Sequence, residues 1–159
     1  MSTSSRFAVA VHVLTLLAWA GDEPLKSEEI ACSVNTNAVV IRRILCALGR
    51  AGLVTSQTGA AGGSRLARPA REITLRDVYR AVEGQDIFAL HRQPPNPKCR
   101  VGVNIEGVLG DVLAAVGGAV EQVLGEISVE SIRQSIKTSS RSSSNRSSSS
   151  RRQPRRKRA

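Results

Sequence analysis

Arg42, Arg43 and Arg50 fall within one helix-forming stretch, from about Asn37 to Ala51. At about 100° per residue they share a side with Val39 and Cys46, while Ile41, Ile44, Leu45 and Leu48 share the other. A helix built this way seats its aliphatic side on a protein body and offers guanidinium groups outward. A guanidinium can grip two acceptors at once, and the guanine edge in the major groove of duplex DNA presents such a pair. Asn37, Val39, Arg42 and Arg43 occupy the first turns, which are the turns that reach base edges; Arg50 lies farther along, at phosphate or solvent. Ser27, Asn35 and Thr36 carry short polar groups suited to phosphate oxygens, which position a duplex without reading it. The plain alternative is a solvated charged face.

Other reactive groups are sparse. Cys32, Cys46 and Cys99 lie 14 and 53 residues apart, with no C-x-x-C pair and no zinc-like spacing. An odd, scattered set of thiols argues against a disulfide scaffold and fits a reducing cytoplasm. Cys32 reads as a small core residue. Cys46, on the arginine side, is a second thiol whose oxidation would disturb that surface. Cys99 is flanked by Lys98 and Arg100 just ahead of a helix, a setting that favours thiolate. It is either a redox or thiol sensor or an incidental loop cysteine. His12 reads as a packed or hydrogen-bonded helix residue and His91 as an exposed loop residue. No acid/base pair, partnered nucleophile or metal-binding cluster has workable spacing, so an enzyme is not expected. Gly59-Ala60-Ala61-Gly62-Gly63 lacks the pattern of a nucleotide-binding loop.

The elements that must position these residues can be read in order. An apolar run from Phe7 to Ala20 predicts a first helix from Thr3 or Ser4, stopped by Gly21. It ends like a signal-peptide cleavage site, but His12 and Thr15 interrupt it and one cation precedes it, so a buried helix is expected. Ser27 is the expected N-cap of a short second helix carrying Glu28 and Glu29 in its first turn. Val34-Asn35-Thr36-Asn37 then makes a tight turn into the arginine-bearing helix. Two short helices joined this way form a helix-turn-helix.

Leu53 to Gln57 and Ser64 to Ala67 predict two strands around a glycine-rich tip, a hairpin of the wing type. In that reading Gly62 and Gly63 let the backbone approach a sugar-phosphate surface, Ser64 beside them is a further DNA-contacting residue, and Arg65 suits a narrow minor groove. Thr74-Leu75-Arg76-Asp77 opens a further helix in capping-box style, ended by Gly84. Gln85 to Arg100 is a proline-stiffened loop. A long helix from about Val101 to Glu126 follows, with Ile105, Val108, Leu109, Val112, Val116, Val120 and Val123 in steps of three and four. Such a stripe needs a cover, from its own domain or from a second copy. Ser128 to Ile136 can form a short last helix. No segment approaches the roughly 18 uninterrupted apolar residues of a membrane span.

Charge is unevenly spread. Lys137 to Ala159 holds nine of the 23 basic residues and no acid, so the formal charge of +10 belongs mostly to this tail. Lys26 to Arg71 nevertheless carries seven basic and two acidic residues, a local basic patch. The tail's nine serines and lack of any apolar run predict disorder. It either adds salt-sensitive DNA affinity or has no role. With only four aromatic residues, stacking platforms for RNA or single strands are not expected.

Several segments resemble the Rrf2 (Rrf-two) family of bacterial winged-helix transcription regulators. They are Phe7-Ala8-Val9-Ala10-Val11-His12, Ser33-Val34-Asn35-Thr36-Asn37, Val40-Ile41-Arg42-Arg43-Ile44-Leu45, Gly59-Ala60-Ala61-Gly62-Gly63 and Ile73-Thr74-Leu75-Arg76-Asp77-Val78-Tyr79. Their order and spacing carry the likeness over about residues 4–136. The resemblance implies a homodimer with a long crossing helix, a recognition helix over Asn37 to Ala51, and Arg65 in the minor groove. Members that bind an iron–sulfur cluster carry three cysteines in the loop before the dimer helix. This chain has only Cys99 there, so a conventional cluster site is not expected.

The resulting expectation is a mainly α fold with a small β-hairpin. Residues 1–84 form a winged helix-turn-helix domain, 85–100 a hinge loop, 101–136 the dimerisation helix with a short terminal helix, and 137–159 a disordered basic tail. The expected function is a cytoplasmic, sequence-specific DNA-binding regulator, a homodimeric repressor responsive to redox or thiol chemistry, without metal or membrane partner. The alternatives are an iron–sulfur-cluster or small-ligand sensor with atypical ligands, and a nonspecific RNA- or DNA-binding protein acting through its tail.

Overall fold

The computed structural model describes residues 5–59, 62–83 and 90–148, with side chains to Ser139. The elements run α1 (Arg6–Ala20), α2 (Ser27–Val34), α3 (Ala38–Arg50), β1 (Val54–Gln57), β2 (Gly63–Leu66), a short 3-10 turn (Ala70–Glu72), α4 (Leu75–Val82), α5 (Arg100–Glu126) and α6 (Val129–Ser148). The fold is mainly α with one two-stranded antiparallel sheet, as expected. Gly84 and residues 85–89 lie outside the described residues, as do 149–159 of the tail.

The core is aliphatic and shared by every short element. Ala10, Val13, Leu14 and Leu17 of α1 meet Ile30 and Ala31 of α2, and Ile41, Ile44, Leu45, Ala47 and Leu48 of α3. Leu53, Val54, Ile73, Val78 and Val82 close it. Val129 at the start of α6 is also fully buried there. Helix α1 ends at Gly21, whose φ of +68° lets its amide bond back to the Leu17 carbonyl. Helices α2 and α3 bend by 109° across Asn35-Thr36-Asn37, the angle of a helix-turn-helix.

One cap differs in detail from expectation. Ser27 is the first helical residue of α2, and Lys26 is its N-cap. The Glu29 carboxylate accepts the Lys26 amide at 2.6 Å, so the glutamate supplies the cap. In α4 the capping box forms as read: Asp77 N–H donates to Thr74 Oγ1 at 3.2 Å and Thr74 N–H to Asp77 Oδ2 at 3.0 Å.

Helix α5 buries none of its residues in this chain. Val108, Val112 and Val123 are each more than half exposed, and Val116 is exposed as well. By length and composition alone α5 could cross a membrane, although Glu106, Asp111 and Glu121 interrupt its apolar residues. Its C-terminal end is tied down by backbone: Leu75 N–H donates to Ile127 O at 2.8 Å, and Val129 N–H to Ile73 O at 2.9 Å. Helix α6 continues past Ile136 to Ser148, where disorder was expected from Lys137. Ser135, Thr138 and Ser139 hydroxyls bond to carbonyls one turn back, which lets a serine-rich segment extend a helix already nucleated on the core.

Candidate nucleic-acid interface

The α2–α3 turn sets the site. Asn35 takes the left-handed conformation at φ 57°, and its amide closes the end of α2. The Asn37 side chain caps α3 by accepting Val39 N–H at 2.8 Å. With the aliphatic side of α3 seated in the core, Val39, Arg42, Arg43, Cys46 and Arg50 are all exposed. Asn35, Thr36 and Asn37 are exposed at its leading end, with Ser27 half-buried nearby. An arginine-bearing surface is therefore assembled as the sequence predicts. Arg50 Nη1 donates to Cys46 Sγ at 3.3 Å, along the helix. Arg42 is joined to Glu28 of α2 through Nη2 and Oε1, a partner that helical spacing within α3 does not reveal.

The hairpin stands beside α3. Val54 pairs with Leu66, Thr55 with Arg65, Ser56 with Ser64 and Gln57 with Gly63. Arg65 Nη2 donates to Gln57 Oε1 at 3.1 Å, so the guanidinium lies along the strand pair on its outer side. Gln57 is a site residue that sequence reasoning missed; its only signal is cross-strand diagonal proximity, which depends on register.

Ser64 requires correction as a surface residue. It is buried, its hydroxyl hydrogen-bonds Ser56 Oγ at 2.8 Å, and its backbone bridges to Leu25. The glycines also have a different reason. A Cβ at Gly62 would stand 2.3 Å from the Gln57 carbonyl oxygen, and one at Gly63 2.9 Å from that of Leu25. Both positions need glycine for packing within the protein. An open cleft of about 400 Å³ separates α3 from the hairpin, lined by Ser27, Arg42, Cys46, Gln57 and Gly63 among others.

All three thiols are exposed, including Cys32, which is not a core residue. Its place on α2 turns it away from the contacts made by Ile30 and Ala31. His12 Nε2 hydrogen-bonds Ser33 Oγ at 3.2 Å, as a structural histidine does. Cys99 is the N-cap of α5. Backbone amides of Gly102, and then Val101, hold its thiol below the ordinary value of 9.0. The amides of the helix N-terminus, rather than Lys98 and Arg100, supply that effect. No three His, Cys, Asp or Glu side chains gather as a metal-binding group among the described residues.

Comparison with known proteins places these features in a lineage. The Rrf2 family model, described as iron-dependent transcriptional regulators, matches residues 3–135. The chain is 44% identical over 130 residues to YwnA of Bacillus subtilis, provisionally assigned as an HTH-type transcriptional regulator; the match spans 81% of this chain and 95% of that protein. A crystal structure of a provisionally assigned DNA-binding protein is 39% identical, with a TM-score of 0.66 over 80% of this chain and 98% of the other. IscR of T. potens is 26% identical, with a TM-score of 0.64 over 86% and 88%. The chain belongs to the Rrf2 family of winged helix-turn-helix, DNA-binding transcription regulators.

Proposed function

We propose that this regulator is a cytoplasmic homodimeric repressor that reads a roughly palindromic duplex, with α3 in the major groove and Arg65 of the wing in the minor groove. The observation that carries the reading is the division of α3: five residues buried in the core, with Arg42, Arg43 and Arg50 exposed on the other side. Asn37, Val39, Arg42 and Arg43 face base edges, while Ser27, Asn35, Thr36 and Arg50 hold phosphates. Gly62 and Gly63 shape the wing that carries Arg65.

Helix α5 is the dimer helix in this reading, joined to a second copy through Ile105, Val108, Leu109, Val112, Val116, Val120 and Val123. Glu106, Asp111 and Glu121 break its apolar surface, and Glu121 pairs with Arg80 of α4. Those charges suit a helix at a protein interface better than one in lipid. Two copies would place half-sites about one helical turn apart, or a small multiple. Repression is the simplest output, because occupying a duplex already excludes other proteins from it.

The family description implies iron. The donor set does not fit a conventional cluster: Cys99 is the one cysteine in the loop leading into α5, and Cys32 and Cys46 lie on α2 and α3. In this reading the exposed Cys99 thiol, favoured as thiolate by the amides of Gly102 and Val101, is the sensor.

The test is selection of bound duplexes from a random pool, followed by binding of Arg42→Ala and Arg65→Ala. Each substitution should weaken the selected duplex by about 1–3 kcal/mol, and Arg42→Ala should relax preference at one base pair. Unchanged affinity in both variants would overturn the assignment.

A further inference from the structure

Glu28 is an acid on the surface that this reading turns toward phosphates. Helix capping does not account for it, because Glu29 is the residue that closes the cap on Lys26. The Glu28 carboxylate turns to α3 instead, where its Oε1 accepts from Arg42 Nη2. Both side chains are more than half exposed, at 62% and 56%. Exposed pairs of this kind contribute little to stability, so holding the fold together does not account for it either. Close to DNA, the carboxylate lowers affinity by repelling phosphates.

Among the α3 arginines, Arg42 is the one so held. Arg43 makes no ion pair among the described residues, and Arg50 donates to Cys46. Arg42 and Ser27 also line the cleft between α3 and the hairpin. The Glu28 carboxyl is kept below its ordinary value, first by its own backbone amide and then by Arg42, so it is charged at neutral pH.

We infer that Glu28 is a positioning residue for base recognition: by holding Nη2 of Arg42 it keeps that guanidinium off the phosphates and aims its remaining donors at one base pair. The inference rests on α3 being the recognition helix. It trades general affinity for discrimination. Releasing Arg42 lets it swing to the nearest phosphate, where it adds binding without sequence preference.

The experiment uses the full chain and three probes: the duplex selected by the unaltered protein, its single-base-pair substitutions, and a scrambled duplex. Glu28→Gln should bind the scrambled duplex more tightly. It should discriminate about tenfold less at one base pair, the same one relaxed by Arg42→Ala. Its salt slope should steepen by about one unit, the signature of one added phosphate contact. In an Arg42→Ala background the same change should leave discrimination unaltered. Unreduced discrimination in Glu28→Gln overturns the inference, as does a loss that persists at full size without Arg42. If Arg42→Ala relaxes one base pair and Glu28→Gln relaxes none, only the role of Glu28 falls. If Arg42→Ala itself has no effect, the recognition-helix reading falls with it.

Discussion

Cys99 joins a loop to a helix, and its chemistry follows from that junction. Its amide donates to Asn96 O at 3.1 Å, and the amides of Val101 and Gly102 stabilise its thiolate. Only the thiolate attacks electrophiles, so its fraction and the reaction rate rise together with pH. The iodoacetamide rate at Cys99, followed by mass spectrometry, should therefore reach half its plateau below pH 9.0, the ordinary thiol value. A midpoint at or above that value would show that the helix amides do not act on it. At this scale the sequence reveals which residue types face outward. The orientation of Arg42, Arg43 and Arg50 follows from helical period alone. Their partners do not, because the Arg42–Glu28 pair depends on the angle between two helices, and the Arg65–Gln57 bond on strand register. The same limit explains Ser64: strand alternation assigns it a side, but its burial comes from the Leu25 backbone laid across the hairpin.

Each short element is legible because its local signals agree with its packing. The stripe on α3, the Asn37 cap and the Thr74–Asp77 box all point one way. Helix α5 is legible in extent but not in purpose, since Val108, Val112, Val116 and Val123 of its stripe stay exposed in a single chain. Gly110 and Gly117 have open space beside them, which leaves room for a close neighbour. Val112→Asp together with Val116→Asp should convert the proposed dimer to a species of 17.0 kDa by sedimentation, with the helical signal of the winged domain retained. Unchanged mass in that variant would remove α5 from the interface. The extension of α6 escaped sequence reading because composition argues for disorder, whereas a helix seeded by buried Val129 needs little more than continuity to grow.

On the scale of the whole molecule, charge is divided between a basic patch around α3 and the hairpin and a basic C-terminal segment that begins within α6. The patch draws its arginines from α3 and from the hairpin beside it. The tail concentrates nine cations from Lys137 onward. Deleting Lys137 to Ala159 should reduce the salt dependence of DNA binding while preserving base preference, as measured by titration over a range of salt concentrations. Loss of base preference would assign reading to the tail. Lys137 also stands over the Trp19 ring at 5.5 Å, so truncation after Lys137 instead of before it separates that packing contact from charge. The paired backbone at Thr74 and Ser128 has a mechanical meaning of its own. It pins one end of a rod of 27 residues, about 40 Å long, to the reading head. Cys99 lies at the opposite tip, so a chemical change there is applied with the full length of the rod as its lever arm.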